Sequence, residues 1–310
     1  MDRKKALEKA FQRGHLLTLK TEFYRKWFER YILDETKEDW REGDITTDAV
    51  IRKDIRVKAV VRSRQPGILA GIEESSELYR RNGIDILGGG RDGSCLDDNT
   101  IILELHGYQK DLLRIERSAL DILQRMSGIA TLTSNVISGI RGKVSVAPTR
   151  KTHWRYMDKK AVFLGGGLTH RLALWESILI KDNHLAALRR EGVKDPIETA
   201  LQRCKDQQKA KFLEIEVTSR DHAQRAAEIL ALMRIPLPKL IMFDNMPALV
   251  IKQIIAHFKR SGLYDSALFE ASGGITPKSI GEYSSTGVDV ISMGYLTHFS
   301  PALDIKQEML

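Results

Sequence analysis

The sequence is poor in cysteine and has no long apolar run, and both features exclude classes of protein. Cys95 and Cys204 are its only cysteines, too few for a disulfide framework and too few to hold a zinc ion by themselves. No apolar stretch approaches the roughly 20 residues that a membrane-spanning helix needs. Residues 1–15 also lack the apolar region of a signal peptide. We therefore expect a cytoplasmic globular protein without a membrane partner, long enough for one large domain or two smaller ones.

Positive charge exceeds negative charge in this chain. The 49 lysines and arginines outnumber the 41 aspartates and glutamates, which gives a net charge of +8 and an isoelectric point near 9.3. A basic surface is typical of nucleic-acid binding, so that function stays open. Much of the excess lies within residues 3–30, however, where it is interleaved with Glu8, Glu22 and Glu29 as on a solvated helix face. An anionic small substrate accounts for the remaining basic residues equally well.

Short apolar runs alternate with amphipathic stretches from residue 143 onward. Strands are predicted at 143–148, 161–165, 178–181, 212–217, 239–244, 267–272 and 288–293, and helices at 196–209, 220–234, 247–260 and 277–284. Strands that alternate with helices form a parallel sheet, and seven in a row predict an incomplete α/β barrel. The predicted domains are a helical extension at 1–35, an α+β domain at 36–125, the barrel at 126–296 and a carboxyl-terminal helix at 297–310.

Basic residues follow three consecutive predicted strands. Arg150 and Lys151 follow the first, His170 and Arg171 follow the second after a run of three glycines, and Lys181 follows the third. The carboxyl ends of parallel strands share one rim, which is where barrel enzymes carry their active sites. Because unpaired buried cations are costly, this concentration of positive charge predicts a strongly anionic ligand.

Acids and glycines follow the later strands. Glu214 and Glu216 are two residues apart, so both point into the barrel, and Glu216 with Asp244 is suited to a magnesium ion or ribose hydroxyls. Glycines after the last two strands let backbone amides approach a phosphate; these segments contain Ser272, Gly273, Gly274, Ser292, Gly294 and His298. Together the features predict phosphoribosyl diphosphate and an anionic acceptor. Lys181 as a Schiff-base lysine of an aldolase-like barrel is a weaker alternative, because the nearby carboxylates would raise its pKa.

Ten short motifs occur in a fixed order along the chain. They are GDITT (43–47), ERSAL (116–120), SGIAT (127–131), TRKT (149–152), GGG with HR (165–171), IKDNH (180–184), EIEV (214–217), DN (244–245), EASGGI (270–275), and Gly294 with LTH (296–298). In these motifs the chain resembles the quinolinate phosphoribosyltransferases, also called carboxylating nicotinate-nucleotide diphosphorylases. The resemblance covers about residues 36–310.

The resemblance carries expectations about architecture, reaction and site. It implies an amino-terminal open sheet, a seven-stranded barrel of the type II phosphoribosyltransferase kind, a carboxyl-terminal segment that returns to the first domain, magnesium, and a homodimer with shared active sites. The implied reaction is transfer of phosphoribosyl to quinolinate with decarboxylation, and a different aromatic acid is the alternative. By similarity, the pyridine dicarboxylate is held by Arg117 (acting in the partner subunit's site), Arg150, His170, Arg171 and Lys181. The implied catalytic residues are Lys151 on the diphosphate side and Glu216 and Asp244 at the ribose and magnesium. The 5′-phosphate is expected to bind to the segments that contain Ser272, Gly273, Gly274, Ser292, Gly294 and His298.

The chain departs from the family pattern beside the expected acceptor pocket. Pro148 replaces an aspartate, the segment His153–Tyr156 replaces a Pro-Gly turn and is two residues shorter, and Thr169 replaces an asparagine. None of these changes removes a proposed carboxylate-binding cation. We therefore still expect an acceptor with two carboxylates.

Overall fold

The structure, a computed structural model, describes residues 2–207 and 209–310. Its helices are α1 (Arg3–Phe11), α2 (Glu22–Phe28), α3 (Asp34–Asp39), α4 (Ile45–Val50), α5 (Ile72–Arg81), α6 (Gln109–Gly139), α7 (Arg155–Leu164), α8 (Asp182–Arg190), α9 (Pro196–Cys204), α10 (Arg220–Leu232), α11 (Ala248–Ser261), α12 (Ile280–Tyr283) and α13 (Tyr295–His298). Its strands are β1 (Arg56–Ser63), β2 (Gly67–Ile68), β3 (Asp85–Gly89), β4 (Cys95–Leu96), β5 (Ile101–Tyr108), β6 (Ser145–Ala147), β7 (Ile178–Ile180), β8 (Leu213–Val217), β9 (Lys239–Asp244), β10 (Leu268–Ser272), β11 (Val290–Ser292) and β12 (Ile305–Met309). Among the helices of the described residues, none is both long and apolar enough to cross a membrane.

The chain divides into two compact units, each built from several segments. The parallel-sheet unit comprises Met1–Arg13, Asn135–His153 and Gly167–His298, and the antiparallel-sheet unit comprises Gly14–Ser134, Trp154–Gly166 and Phe299–Leu310. These boundaries differ from the predicted domains. The residues up to Arg13 belong with the parallel strands rather than to a separate extension.

The parallel-sheet unit contains six paired strands in the order β6-β11-β10-β9-β8-β7. Every neighbouring pair is parallel, as the alternation of strands and helices predicted, and Ser272 at the end of β10 lies opposite Asp244 at the end of β9. The prediction of an α/β fold with two domains is confirmed. The carboxyl ends of these strands therefore bring the loops after them to one edge.

The predicted strand at 161–165 is wrong, because residues 155–164 form the helix α7 in the antiparallel-sheet unit. Its apolar run has only four residues, a length that fits a buried strand and one face of a helix equally well. Beside β6 the chain instead runs through residues 167–171, which are not a strand. The Leu168 amide there donates a backbone hydrogen bond to the Val146 carbonyl at 2.8 Å.

Helix α1 packs against the beginnings of the parallel strands. Its apolar residues recur at helical spacing and form one core cluster with residues at or near the start of four strands; the cluster contains Leu7, Ala10, Phe11, Ala147, Leu168, Phe212, Leu240, Leu268 and Val290. At the start of the helix Arg3 Nε donates to Asp289 Oδ1 at 2.7 Å. The helix is thus part of the core of this unit.

The antiparallel-sheet unit has a four-stranded sheet in the order β12-β1-β5-β3. Its last strand comes from the end of the described chain, where Ile305 pairs with Ser63 and Met309 with Ala59. The predicted helix at 297–310 is therefore wrong: helical structure ends at His298, and Pro301 cannot continue it.

A buried ion cluster joins α2, α5 and α7 within the antiparallel-sheet unit. Lys160 Nζ lies 2.6 Å from Glu73 Oε2, 2.7 Å from Glu74 Oε1 and 3.7 Å from Asp92 Oδ2. The hydroxyl of Tyr24 donates to Glu74 Oε1 at 2.6 Å. Burial alone would lower the pKa of Lys160, but the surrounding acids raise it, so the lysine stays charged.

Candidate active site

A pocket of about 800 Å³ lies along β7 and is also lined by residues of α8 and α9 and by Arg150, which follows β6. Its lining includes Arg150 after β6, Arg171 from the segment 167–171 and Lys181 after β7, and also Arg203 and Lys209. The sequence predicted that the first three would share one rim, and the structure brings them together. Other parts of the wall are apolar and include Leu174, Trp175 and Ile178.

Arg171 is buried in this pocket with part of its guanidinium unsatisfied. The residue is 4% exposed, and its Nη1 donates to the Ser177 carbonyl at 3.1 Å. Its Nε is buried without a hydrogen-bond partner among the residues that the structure describes. Burial and the nearby Arg150 both lower the pKa of Arg171. Two neighbouring guanidinium groups with an unused donor form a site for an anion, and a carboxylate suits the fork of an arginine.

His170 adopts a strained backbone conformation and is held on both ring nitrogens. Its φ is +52°, a region that non-glycine residues rarely occupy. The amide of Arg171 donates to His170 Nδ1 at 2.6 Å, so the ring proton lies on Nε2. That atom is 3.5 Å from Glu214 Oε2 and 3.4 Å from Glu270 Oε2.

Glu214 and Glu270 are both fully buried beneath His170. Burial and the adjacent Glu270 raise the pKa of Glu214 well above its usual range. The neutral form of Glu214 is therefore favoured in this place. The ligand atoms of His170, Glu214 and Glu270 lie within 4.8 Å of one another, a spacing that a metal ion could also bridge.

The two predicted magnesium ligands lie at the ends of neighbouring strands. Glu216 is 9% exposed and has a loose ion pair with Lys181, whose Nζ is 3.9 Å from Glu216 Oε2. Burial and the Asp244 carboxylate raise the pKa of Glu216. The second acid is oriented by Asn245, whose Nδ2 donates to Asp244 Oδ2 at 2.6 Å. Two hard oxygen donors that repel each other fit a magnesium ion, which would relieve that repulsion.

The loop after β10 places its backbone close to Asn245, which follows β9. Gly273 and Gly274 have φ of +93° and +62°, and Asn245 opposite them has φ of +54°. A Cβ atom on Gly273 would lie 2.4 Å from Asn245 Oδ1, so only glycine fits there. Glycine at such a turn exposes amides to an anion. After the adjacent β11, the buried Ser292 Oγ has no hydrogen-bond partner within the described residues.

Lys151 lies beside the loop that follows β11, because β6 and β11 are parallel neighbours. Thr297 Oγ1 donates to the Lys151 carbonyl at 2.5 Å, and a Cβ atom on Gly294 would be 3.4 Å from Lys151 Cδ. The ring of His298 lies 5.2 Å from that of His153. Lys151 thus lies beside the loop that follows β11, and its role on the diphosphate side stays a prediction.

All of the predicted site residues except Arg117 belong to the parallel-sheet unit. Arg117 lies on α6 of the other unit, with a side chain 62% exposed and 3.3 Å from Asp121 Oδ1. Sequence reasoning missed Glu270, although an acid in the middle of an apolar strand was an available signal. It also missed the hydrogen bond between Thr169 and Phe11 and the stacking of Phe11 on His170.

Parallel strands that alternate with helices, a cationic pocket and glycine loops at the strand ends define an α/β enzyme that binds anionic substrates. Comparison with known families identifies the enzyme family. Residues 44–127 match the model of the quinolinate phosphoribosyl transferase N-terminal domain, and residues 129–308 match that of the C-terminal domain. The chain belongs to the quinolinate phosphoribosyl transferase family, which confirms the resemblance predicted from its motifs.

Individual relatives agree with this assignment. The chain is 39% identical over 272 residues to a probable carboxylating nicotinate-nucleotide pyrophosphorylase of Methanothermobacter thermautotrophicus, covering 86% of this chain and 93% of that protein. It is 34% identical over 280 residues to the carboxylating nicotinate-nucleotide pyrophosphorylase of Mycobacterium leprae, covering 88% and 93%. The solved nicotinate-nucleotide pyrophosphorylase of Francisella tularensis is similar with a TM-score of 0.79 at 29% identity, covering 92% of this chain and 96% of that one.

The fold alone does not choose the acceptor. Human nicotinic acid phosphoribosyltransferase shares it with a TM-score of 0.58 at 11% identity over 90% of this chain and 73% of that one. The choice between pyridine acids therefore depends on the residues of the pocket.

Proposed function

We propose that this chain transfers phosphoribosyl from phosphoribosyl diphosphate to quinolinate and releases the 2-carboxylate as carbon dioxide. The product would be nicotinate mononucleotide, a precursor in de novo NAD biosynthesis. The observation that carries the proposal is the pairing of Arg150 with a buried, partly unsatisfied Arg171 in the pocket. A dicarboxylate supplies two anionic groups to such a site. Membership of the quinolinate phosphoribosyl transferase family supports the same reaction.

Different residues of the site hold the carboxylates of the acceptor and the phosphate groups of the donor. Arg150, Arg171 and Lys181 hold the acceptor, whereas Lys151 and the glycine loops hold the diphosphate and the 5′-phosphate. Carbon 1′ of the ribose loses its bond to diphosphate and gains one to the pyridine nitrogen. The carbon–carbon bond to the 2-carboxylate then breaks, and carbon 2 takes up a proton. Glu216 and Asp244 lie where the ribose develops positive charge, so their main contribution is electrostatic.

Magnesium is the cofactor that fits this arrangement. Glu216 and Asp244 would hold it, because their oxygens are the hard ligands that magnesium prefers. When bound, the ion would neutralise charge on the diphosphate. A magnesium-dependent release of diphosphate would support this part of the proposal.

We further propose a homodimer in which Arg117 of one copy completes the site of the other. Its guanidinium is well exposed and lies 3.3 Å from the carboxylate of Asp121, one turn away on the same helix. Mixing inactive Arg117→Ala chains with inactive Lys151→Ala chains should then restore part of the activity, because a mixed dimer has one intact site. Full activity of Arg117→Ala by itself would reject the shared site.

The reaction is tested by incubating the purified protein with phosphoribosyl diphosphate, magnesium and either quinolinate or nicotinate. We expect diphosphate and carbon dioxide from quinolinate and a far lower kcat/KM for nicotinate, which leaves a desolvated cation unpaired. A higher kcat/KM for nicotinate would favour a phosphoribosyltransferase for another acid. Release of no diphosphate from either acid would reject the enzyme, and salt-dependent binding of DNA or RNA would then support the nucleic-acid hypothesis.

A further inference from the structure

The carboxyl end of α1 is hydrogen-bonded to the segment that carries His170 and Arg171. The carbonyl of Phe11 accepts from the Thr169 amide at 3.0 Å and from Thr169 Oγ1 at 2.6 Å. The same hydroxyl accepts from the amide of Arg13 at 3.0 Å. Phe11 and Thr169 are both fully buried. Buried hydrogen bonds of this kind fix the backbone just before His170.

A second connection fixes the backbone just after Arg171. The guanidinium of Arg13 donates from Nε to Glu176 Oε1 at 3.1 Å, and Glu176 Oε2 accepts from the Leu172 amide at 2.6 Å. Arg13 and Glu176 are 8% and 4% exposed. The pair is therefore largely desolvated, and removing one member would leave the other charge buried.

Between these two connections, the ring of Phe11 stacks on the ring of His170. Their centroids are 4.2 Å apart and the ring planes are inclined by 30°. His170 has φ of +52°, a conformation that persists only where the surroundings enforce it. Glu214 and Glu270 contact its Nε2, and Phe11 covers its face.

We propose that Phe11 and Arg13, with their partners Thr169 and Glu176, form a clamp that positions His170 and Arg171 for the acceptor. These are positioning residues, since none of them lines the pocket. Two of its four members, Phe11 and Arg13, precede the first residue matched by the family models, residue 44, whereas Thr169 and Glu176 lie within the match to the C-terminal domain. The role of Thr169 also accounts for one place where the chain departs from the family pattern. The inference rests on the proposed function, because its kinetic effect concerns the dicarboxylate.

The kinetic test compares variants that break the clamp with variants that do not. Phe11→Ala removes the stacked ring, and Thr169→Val removes the hydroxyl with little change in volume. Each should raise KM for quinolinate about tenfold and leave KM for phosphoribosyl diphosphate within about twofold, because only the acceptor pocket is displaced. Thr169→Ser keeps the hydroxyl and should restore the acceptor KM.

Leu7→Ala is the matched control for a loss of packing. Leu7 is a buried residue of the same helix and the same core cluster, so its truncation should lower the melting temperature without a selective change in the acceptor KM. Phe11→Leu covers the case in which Phe11→Ala does not fold, since it retains most of the volume but loses the stacking. Equal effects of Leu7→Ala and Phe11→Leu on the acceptor KM, or no effect of Thr169→Val, would overturn the clamp.

A spectroscopic measurement separates this inference from the proposed function. In protein with nitrogen-15 in its histidines, the His170 ring should show the Nε2-protonated tautomer in the wild type, and its signals should shift or broaden in Thr169→Val and Phe11→Leu but not in Leu7→Ala. The signals are assigned with His170→Asn. If the wild type converts neither pyridine acid, the proposed reaction fails, and the histidine signals still decide the clamp. Unchanged His170 signals in both clamp variants would refute it.

Discussion

Replacing Lys160 by methionine should strongly destabilise the antiparallel-sheet unit, because it removes the cation of the buried ion cluster. The side chain of Lys160 is 7% exposed, and it contacts Glu73 and Glu74 at 2.6 and 2.7 Å. At an effective dielectric constant of about 20, each contact has a gross attraction of roughly 6 kcal/mol, most of which offsets the desolvation of the charges.

The net loss follows from what the substitution leaves behind. Without the lysine, Glu74 stays fully buried beside Glu73 and Asp92, and one or more of these acids must take up a proton or remain charged without a partner. Breaking a buried pair in this way costs about 3–5 kcal/mol. With about 2–4 °C per kcal/mol for a unit of this size, the melting temperature should fall by about 6–20 °C.

The loss should also depend on pH in a definite direction. Burial already raises the pKa of Glu74, and removing Lys160 takes away the interaction that lowers the pKa values of both Glu73 and Glu74. A carboxyl with a raised folded-state pKa stabilises the fold below its unfolded pKa of about 4.3 and loses that contribution as pH rises through the folded value. The variant should therefore differ less from the wild type at pH 5 than at pH 8.

Tryptophan fluorescence during thermal unfolding measures this effect, since Trp27, Trp40 and Trp154 all lie in the antiparallel-sheet unit. Lys26→Met is the matched control: Lys26 is 2.6 Å from Glu22, but both side chains are 70% exposed, so its loss should cost less than about 1 kcal/mol. Similar losses in the two variants, or a difference that grows toward low pH, would refute the reasoning.

Three further predictions concern the acceptor, the metal and the core. Arg171→Ala should weaken acceptor binding by about 2–5 kcal/mol with the melting temperature retained, because it leaves a buried carboxylate unpaired; an unchanged KM for quinolinate would show that the pocket is misassigned. Glu216→Gln should raise the magnesium concentration needed for half-maximal activity by about tenfold or more, and an unchanged magnesium titration would exclude it as a ligand. Gly128→Ala should lower the melting temperature, since its Cβ would lie 2.0 Å from the Pro301 carbonyl oxygen. The control is Gly139→Ala on the same helix, whose Cβ would meet nothing within 4 Å, so it should be neutral or stabilising by up to about 1 kcal/mol. Equal effects of the two substitutions would contradict the packing argument.

The sequence predicted the central parallel strands best. β8, β9 and β10 were placed within one residue of their observed ends, and each is a short segment with at least four consecutive buried residues. The run at 161–164 failed because its hydrophobicity does not distinguish a strand from the last turn of α7. Periodicity over the preceding residues 155–160 was the information that would have decided it.

The cations of the pocket were predictable, but their supports were not. Arg150, Arg171 and Lys181 each follow a recognisable segment, and a shared rim is a general property of parallel strands. The bond between Thr169 and Phe11 joins residues 158 positions apart in the sequence. No local pattern encodes a contact of that range, since it arises only when α1 reaches the start of strands that come much later in the chain.

The pairing of β12 with β1 has a consequence for synthesis on the ribosome. Strand β1 can pair with β5 as soon as residue 108 has emerged, but its other edge must wait for residues 305–309. An unpaired strand edge is a template for intermolecular pairing, and a contact of such long range forms slowly. During most of translation the nascent chain therefore carries an open edge, which makes a chaperone that shields strands, or a fast elongation rate, valuable to its yield.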